Sequence, residues 1–489
     1  MIRRWHWLAT WILPPAVALS SPGGTAAQEP DTLRLSLTQA VERALDRSEE
    51  IAVARARLSQ ADARVTQAAA AGLPQVSAAV TYNRALASVF DALAGFQGSD
   101  TLSIPSAFDP LRPPRERYDT LSSLITADFM AALISGLPFG RPNTYVSLFQ
   151  LSQPLFAGGR ITSARAAARH AQTATEHQLD ETKADVVFQV RVAYLNAVLA
   201  RRLQTIAAES RRLAGEHLQQ VELACEAGTA SQFDRLRARV DLENREPDVI
   251  QAENLARVAL LDLKRLVNLP TEVPVALTSA FELQPVEVDA PTIAGLMLDR
   301  PALLAAREMV AVRQAGLRSA RGEWFPNVGL QFNLGFQAFP AGVLPPGFSQ
   351  WRKDWNVALA FSWQPFDGFG RNGRIGEAHA LLGEATSQQA LLEESLEVEM
   401  SQALGDYRTA SARYRARRET VRLAEETHAL ADLRYRSGLA TQLEVSDAAL
   451  LLDQTRVNEV QALADYVKAL ARLERLTGGR LSLLRETQP

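Results

Sequence analysis

The sequence predicts a mainly α-helical chain with a small transmembrane β part, built as two tandem structural repeats. Each repeat is a long helical hairpin plus two strands, so that the chain carries four strands in all. Three features predict this. The chain resembles itself at a fixed offset, it holds two very long proline-free segments of helical pattern, and it holds four short segments in which apolar and polar residues alternate.

The duplication comes first because it constrains both copies together. Leu73-Pro74-Gln75-Val76 resembles Phe325-Pro326-Asn327-Val328, and 326 minus 74 gives an offset of 252. Gln153-Pro154 through Arg160 resembles Gln364-Pro365 through Arg371 at an offset of 211, and the stretch from Cys225 to Asp234 resembles Tyr435 to Glu444 at 210. The fall in offset means that the first copy carries some 42 extra residues between Pro74 and Pro154. They lie in a Pro-, Gly- and Ser-rich connection at 87–143, whose counterpart near 338–353 is short. Six prolines (Pro105, Pro110, Pro113, Pro114, Pro138, Pro142) leave room there for a short helix near 115–134.

Each copy reads as helix, strand, loop, strand, very long helix, tight turn, long helix. From Arg160 to Glu226 there is no proline and a single glycine, Gly215, while Leu, Val and Ala recur at helical spacing among Arg, Glu and Gln. At 1.5 Å per residue that is a rod of roughly 100 Å, far longer than a globular core helix. Arg371 to Arg436 matches it. Turns at Gly228 and Gly438 lead into returning helices near 231–267 and 441–476, and Pro247 is expected to kink the first of these. Antiparallel helices of this length bury themselves only against neighbours, as coiled coils do.

The strands carry the sharper signal. Val328, Leu330, Phe332, Leu334 and Phe336 alternate with Asn327, Gly329, Gln331, Asn333 and Gly335. Trp355, Val357, Leu359, Phe361 and Trp363 alternate with Asn356, Ala358, Ala360, Ser362 and Gln364. Val76, Val80 and Tyr82, then Tyr145, Phe149 and Leu151, repeat the pattern more weakly. A soluble half-buried sheet also alternates, but strands of about ten residues with aromatic ends in a secreted chain point to a lipid-facing barrel. Four strands cannot close one, and an open edge in lipid costs several kcal/mol per unpaired group. Three chains sharing a barrel give twelve strands.

The export signal lies at the front. Arg3 and Arg4 precede an apolar stretch from Trp7 to Leu19, broken by Pro14 and Pro15 and ending in Ala26-Ala27, the order of a secretory signal peptide over 1–27. Beyond it no apolar run reaches the roughly 18 residues of a membrane helix. The balance of 52 basic against 55 acidic residues offers no basic excess, so no nucleic-acid partner is expected. Cys225 is the only cysteine, which excludes a disulfide framework or a multi-cysteine metal site. Gly368-Phe369-Gly370-Arg371-Asn372-Gly373 fits a dinucleotide fingerprint, but the alternating strand before it is not a Rossmann strand, and the glycines read as a strand-to-helix bend. His170 and His177 stand about 10 Å apart along a helix, and no hydrolase or zincin motif is present, so no enzyme activity, cofactor or metal is expected.

In the order, spacing and duplication of these parts, the chain resembles the TolC-type outer-membrane efflux and secretion channels over roughly residues 35–477. The resemblance rests on the paired strand exits Pro154-Leu-Phe-Ala-Gly-Gly-Arg160 and Pro365-Phe-Asp-Gly-Phe-Gly-Arg371, on the two glycine turns, and on the opening helix Leu37–Leu45. It implies a homotrimer with a twelve-stranded barrel in the outer membrane and an α-helical barrel crossing the periplasm. It also implies a periplasmic adaptor protein and an inner-membrane transporter as partners. The domains then read as a signal peptide (1–27), a first repeat (28–289), a second repeat (290–477) and a tail (478–489). The first repeat has strands about 75–86 and 144–154, an external loop 87–143 and a hairpin 160–268; the second has strands about 327–337 and 355–364 and a hairpin 371–476. By the same resemblance the glycine turns face the inner end, with adaptor contacts at Gly228, Thr229, Gly438 and Leu439 and a gate formed by Asp234, Tyr435, Glu444 and Asp447. Where the family member used for comparison has a gate-locking arginine this chain has Ala440, which leaves Arg436 or Arg237 as substitutes. Glu444 and Asp447 are three apart, hence on one helical face, and threefold symmetry would gather six carboxylates there. The alternative reading is a periplasmic coiled-coil adaptor or scaffold of an envelope transport complex.

Overall fold

The computed structural model of the chain describes residues 32–87, 142–279, 298–340, 342–345 and 347–477, with scattered residues between 111 and 125. The signal peptide expected at 1–27, most of the loop expected at 87–143, the repeat boundary expected at 289/290 and the tail at 478–489 lie outside the described residues. Inside the loop, residues 114–119 are helical, within the region where a short helix was expected.

The first repeat runs β1 (Leu33–Leu35), α1 (Leu37–Arg47), α2 (Glu49–Ala70), β2 (Gln75–Arg84), β3 (Asn143–Ala157), α3 (Arg160–Glu226) and α4 (Gln232–Leu266). The second runs β4 (Val275–Leu277), α5 (Pro301–Gly322), β5 (Asn327–Ala338), β6 (Arg352–Ser362), α6 (Gly370–Arg436) and α7 (Gln442–Leu476). The duplication is kept to the residue: α2 and α5 each have 22 residues, α3 and α6 each 67, and α4 and α7 each 35.

Four strands form one antiparallel sheet in the order β2-β3-β5-β6, leaving β2 and β6 at its edges. Register sorts the side chains. Val76 lies opposite Leu151, Leu151 opposite Phe332, and Phe332 opposite Val357, so the apolar rows of all four strands share one face. Gln75, Ser152, Gln331 and Ala358 run across the other. Two strands differ most from expectation, while the strand expected at 75–86 ends at Arg84. The strand expected at 144–154 continues to Ala157, because a bulge between Pro154 and Phe156 absorbs the proline that cannot donate to the ladder. The strand expected at 355–364 runs Arg352–Ser362 instead, since pairing with β5 extends from Ser362 opposite Asn327 to Arg352 opposite Gln337. Its charged start had hidden it from the alternation.

The bend from β3 into α3 is built on close backbone approach. Gly158 has φ +60°, and a Cβ added to it would lie 2.1 Å from the carbonyl oxygen of Gly322 at the end of α5. Glycine is required at both positions, because the two backbones touch there. The corresponding turn of the second repeat has Gly368 and Phe369 at φ 67° and 65°, the strand-to-helix bend expected of the glycine run.

The core sits in the middle of the molecule, where α3 packs against α1, α2, α4, α5 and α7. One cluster gathers Leu35, Ala40, Ala44 and Ile51 around Val190, Tyr194 and Leu263. The other gathers Leu303, Leu396, Met400 and Tyr407 around Tyr466, Leu470 and Leu473. A parallel pair absent from the sequence reading, β1 with β4, closes the first cluster. Its three-residue strands carry no periodic signal, and Tyr194 ties them by donating to the Leu35 carbonyl at 2.8 Å. Pro247 stands inside α4, which continues past it to Leu266.

Ion pairs join the repeats. Arg300, capping α5 and only 5% exposed, donates to Glu181 of α3 at 2.7 Å and to Glu399 of α6 at 3.3 Å. Burial works against its charge, but its bonds to the two carboxylates outweigh that and hold its pKa above the ordinary value. Arg191 bonds the fully buried Glu474, Arg202 meets Glu459 at 2.9 Å, and Arg475 meets Asp185 at 2.5 Å, a ladder between α3 and α7. Removing Arg300 takes the shared cation from two half-buried carboxylates, of which Glu181 keeps the Ala302 N–H and Glu399 keeps Arg472 at 3.8 Å, at a cost of about 1–3 kcal/mol. Arg300→Ala is therefore expected to lower the thermal unfolding midpoint followed by circular dichroism, and Arg300→Lys to recover part of the loss.

Candidate gate at the hairpin tips

Both hairpins turn by the same chemistry. At the first, the Thr229 N–H bonds the Ala224 carbonyl at 2.8 Å and the Gly228 N–H bonds Cys225 at 3.0 Å, with Gly228 at φ 77°. At the second, the Leu439 N–H bonds Arg434 at 2.8 Å and the Gly438 N–H bonds Tyr435 at 2.9 Å, with Gly438 at φ 72°. These are paired Schellman closures, which need a left-handed residue where glycine carries no penalty. Thr229 and Leu439, the residues after the glycines, are thereby placed at the extreme tips, and Leu439 is 72% exposed.

The acids that follow have a local role that the sequence reading missed. The Asp234 carboxylate accepts from the Ser231 N–H at 3.0 Å and from the Ser231 hydroxyl at 2.6 Å, while the Asp234 N–H donates to Ser231 Oγ at 3.2 Å. Glu444 and Thr441 repeat the arrangement at 3.2 to 3.4 Å. Both are capping boxes that start α4 and α7. The signal was present in the sequence as Ser231-x-x-Asp234 and Thr441-x-x-Glu444. The Ser231 hydroxyl and backbone bonds hold the Asp234 carboxyl below its ordinary value.

Of the expected gate residues, the structure brings Asp234 and Tyr435 together. Tyr435 reaches from α6 toward the first hairpin, where its ring meets His217 edge-on at 5.8 Å. Burial first, then the nearby Asp234 and Cys225, raise its phenol pKa. Gln442, buried at the start of α7, donates to the Asp234 carbonyl at 3.2 Å and so latches one tip to the other. Glu444 and Asp447 lie on the exposed side of α7, opposite the buried Gln442, Val445 and Ala448. Of the two arginines considered as substitutes for the missing lock, Arg436 pairs with Asp432 of its own helix at 2.9 Å. The cation beside Glu444 is Arg434, at 4.0 Å.

The tips, the long helical rods and the amphipathic sheet can now be set against known proteins. The sequence profile described as "Outer membrane efflux protein" matches residues 131–269 and 294–479. The chain belongs to that family. AprF of Pseudomonas aeruginosa, an alkaline protease secretion protein, is 24% identical over 348 residues, covering 69% of this chain and 70% of AprF. TtgC of Pseudomonas putida, described as a probable efflux pump outer membrane protein, is 25% identical over 348 residues, 69% of this chain and 66% of TtgC. CusC has the same fold, with a TM-score of 0.73 at 18% identity over 91% of this chain and 92% of CusC. As a member of this family the protein is an outer-membrane channel that extends into the periplasm, and the reading as a periplasmic adaptor is set aside.

Ser231→Ala and Thr441→Ala each remove one capping box, which costs about 1 kcal/mol per helix. Faster amide exchange is expected over the first turn of the affected return helix only, measured by hydrogen–deuterium exchange mass spectrometry.

Proposed function

We propose that the protein is the exit duct of a tripartite efflux or type I secretion system, passively carrying substrates across the periplasm and the outer membrane. One observation carries the reading: the sheet presents its apolar face to the outside. On β6, Trp355, Val357, Leu359 and Phe361 are 59–68% exposed, and on β2, Val76 and Val80 are 74–76% exposed. Among the described residues nothing covers that face, which lipid would cover, and the polar face of Gln75, Ser152, Gln331 and Asn356 is suited to an aqueous lumen. The unpaired edges β2 and β6 are satisfied in lipid when three copies join edge to edge into a twelve-stranded barrel.

The same reading gives the tips two tasks. Gly228, Thr229, Gly438 and Leu439 offer the surface on which a periplasmic adaptor would dock, linking the duct to an inner-membrane transporter. Glu444 and Asp447, exposed on one side of α7, would form a ring of six carboxylates in the trimer, while the bond of Gln442 to the Asp234 carbonyl and the contact of Tyr435 with His217 join the two hairpins. A narrow carboxylate ring attracts cations, and multivalent cations that bind it block the pore.

Two experiments test this. In planar bilayers, divalent or trivalent cations added on the tip side should block the conductance of the intact channel, and the Glu444→Ala, Asp447→Ala double variant should lose that block; an unchanged block refutes the ring. For the barrel, Leu359→Arg places a charge on the lipid face at a cost of about 2–4 kcal/mol near the membrane midplane, whereas Ala358→Arg faces the lumen. Assembly into lipid vesicles should fail for the first and persist for the second.

A further inference from the structure

About 16 Å from the turns, at 1.5 Å per residue, the four helices of the two hairpins enclose a cavity of roughly 40 Å³. Its polar lining is Ser210 and His217 from α3, Asp241 and Arg245 from α4, His428 from α6 and Ser446 and Asp453 from α7. Arg245 crosses it, bonding Asp453 and Ser210 and lying 3.5 Å from Asp241, so one arginine ties three helices of both hairpins. His217 Nε2 is buried there with no hydrogen-bond partner. A buried nitrogen without a partner is a group whose proton uptake the surrounding packing opposes.

We propose that His217 is a proton-operated wedge between the two hairpins: its protonation favours parting of α6–α7 from α3–α4 and so an open inner end of the channel. The inference rests on the channel reading. The groups facing His217 are Asp241 and Arg245 on α4, His428, Asp432 and Tyr435 on α6, and Asp453 on α7. A second cation beside Arg245 competes for Asp241 and faces His428. The strain is relieved when water enters or the hairpins separate. Tyr435, against the His217 ring, and Gln442, bonded to Asp234, lie directly between this cavity and the tips, so separation here loosens the latch there.

The sign follows from the packing. Burial, the largest effect, holds His217 below its ordinary value of 6.5, and His428 lowers it further, while Asp241 and Asp432 act the other way. The proton therefore binds more weakly when the hairpins are packed than when they are apart. The packed form is favoured above the ordinary value of 6.5 and loses that advantage as the pH falls through it toward the lowered one.

The test is conductance of the full-length channel in planar bilayers at about pH 7.5 and about pH 5. Mean conductance should rise at least about threefold in acid, and His217→Gln, neutral at both values, should abolish the rise while leaving the neutral-pH conductance unchanged. Asp241→Asn should move the midpoint of the rise to lower pH, because Asp241 favours the charged imidazole; this variant keeps the test open should His217→Gln fail to fold. An equal rise in His217→Gln, or a channel that conducts without responding to pH, overturns the wedge alone. No conductance at either pH overturns the channel reading, and the wedge with it.

Discussion

A helix of 67 residues cannot bury its own apolar side chains, and α3 has to find partners along about 100 Å of length. It finds a different set at each level. Near the sheet it lies against α2 and α5, in the middle against α1 and α7, and along its far half against α4. Both hydrophobic clusters draw on α3, through Tyr194 in one and Leu195 and Leu199 in the other, so the two repeats are joined through one rod. The middle is also where the ion pairs of Arg191, Arg202 and Arg300 tie α3 to helices of the second repeat.

What α3 leaves uncovered defines the rest of the molecule. Helix α4 shows Phe233, Leu236, Val240 and Ile250 to the outside, and α6 shows Leu391, Val398, Leu430 and Leu433. These rows lie on the two flanks of the protomer, just as β2 and β6 are the two free edges of its sheet. Apolar flanks and unpaired edges in the same chain are two expressions of one requirement, that a rod and an open sheet be completed by neighbours.

The duplication supplies a common scaffold on which the two tips have diverged. Each tip closes with a glycine at positive φ and restarts with a capping box, so the backbone chemistry is shared. The side chains differ. Where the second hairpin has Tyr435 and Asp447, the first has Cys225 and Arg237, and in the two turns next to the tip only the second return helix presents two exposed acids. The capping role of Asp234 and Glu444 separates them from Asp447. The first two are needed for their helices whatever else they do, whereas Asp447 lies a turn deeper and outside the cap.

Periodicity and repetition made most of the fold legible. The long helices were readable almost to the residue because proline, glycine and the repeat offset bound them from both ends, and the apolar strand face was readable because its period is two. Strand ends were less so: Arg352–Asp354 join β6 through backbone pairing that their charges do not announce, and the bulge at Leu155 extends β3 past a proline that alone would end it. At the tips, the turn glycines and the acids could be found in the sequence, but the contacts of Tyr435 with His217 and of Gln442 with Asp234 could not, because they join residues 208 or more positions apart. The sequence by itself therefore determined the elements, their duplication and the amphipathic sheet, all of which follow from local period and local turn chemistry. Only the tertiary structure decided which rods lie side by side, and with that the β1–β4 pair, the Arg300 tie and the buried histidine between the hairpins.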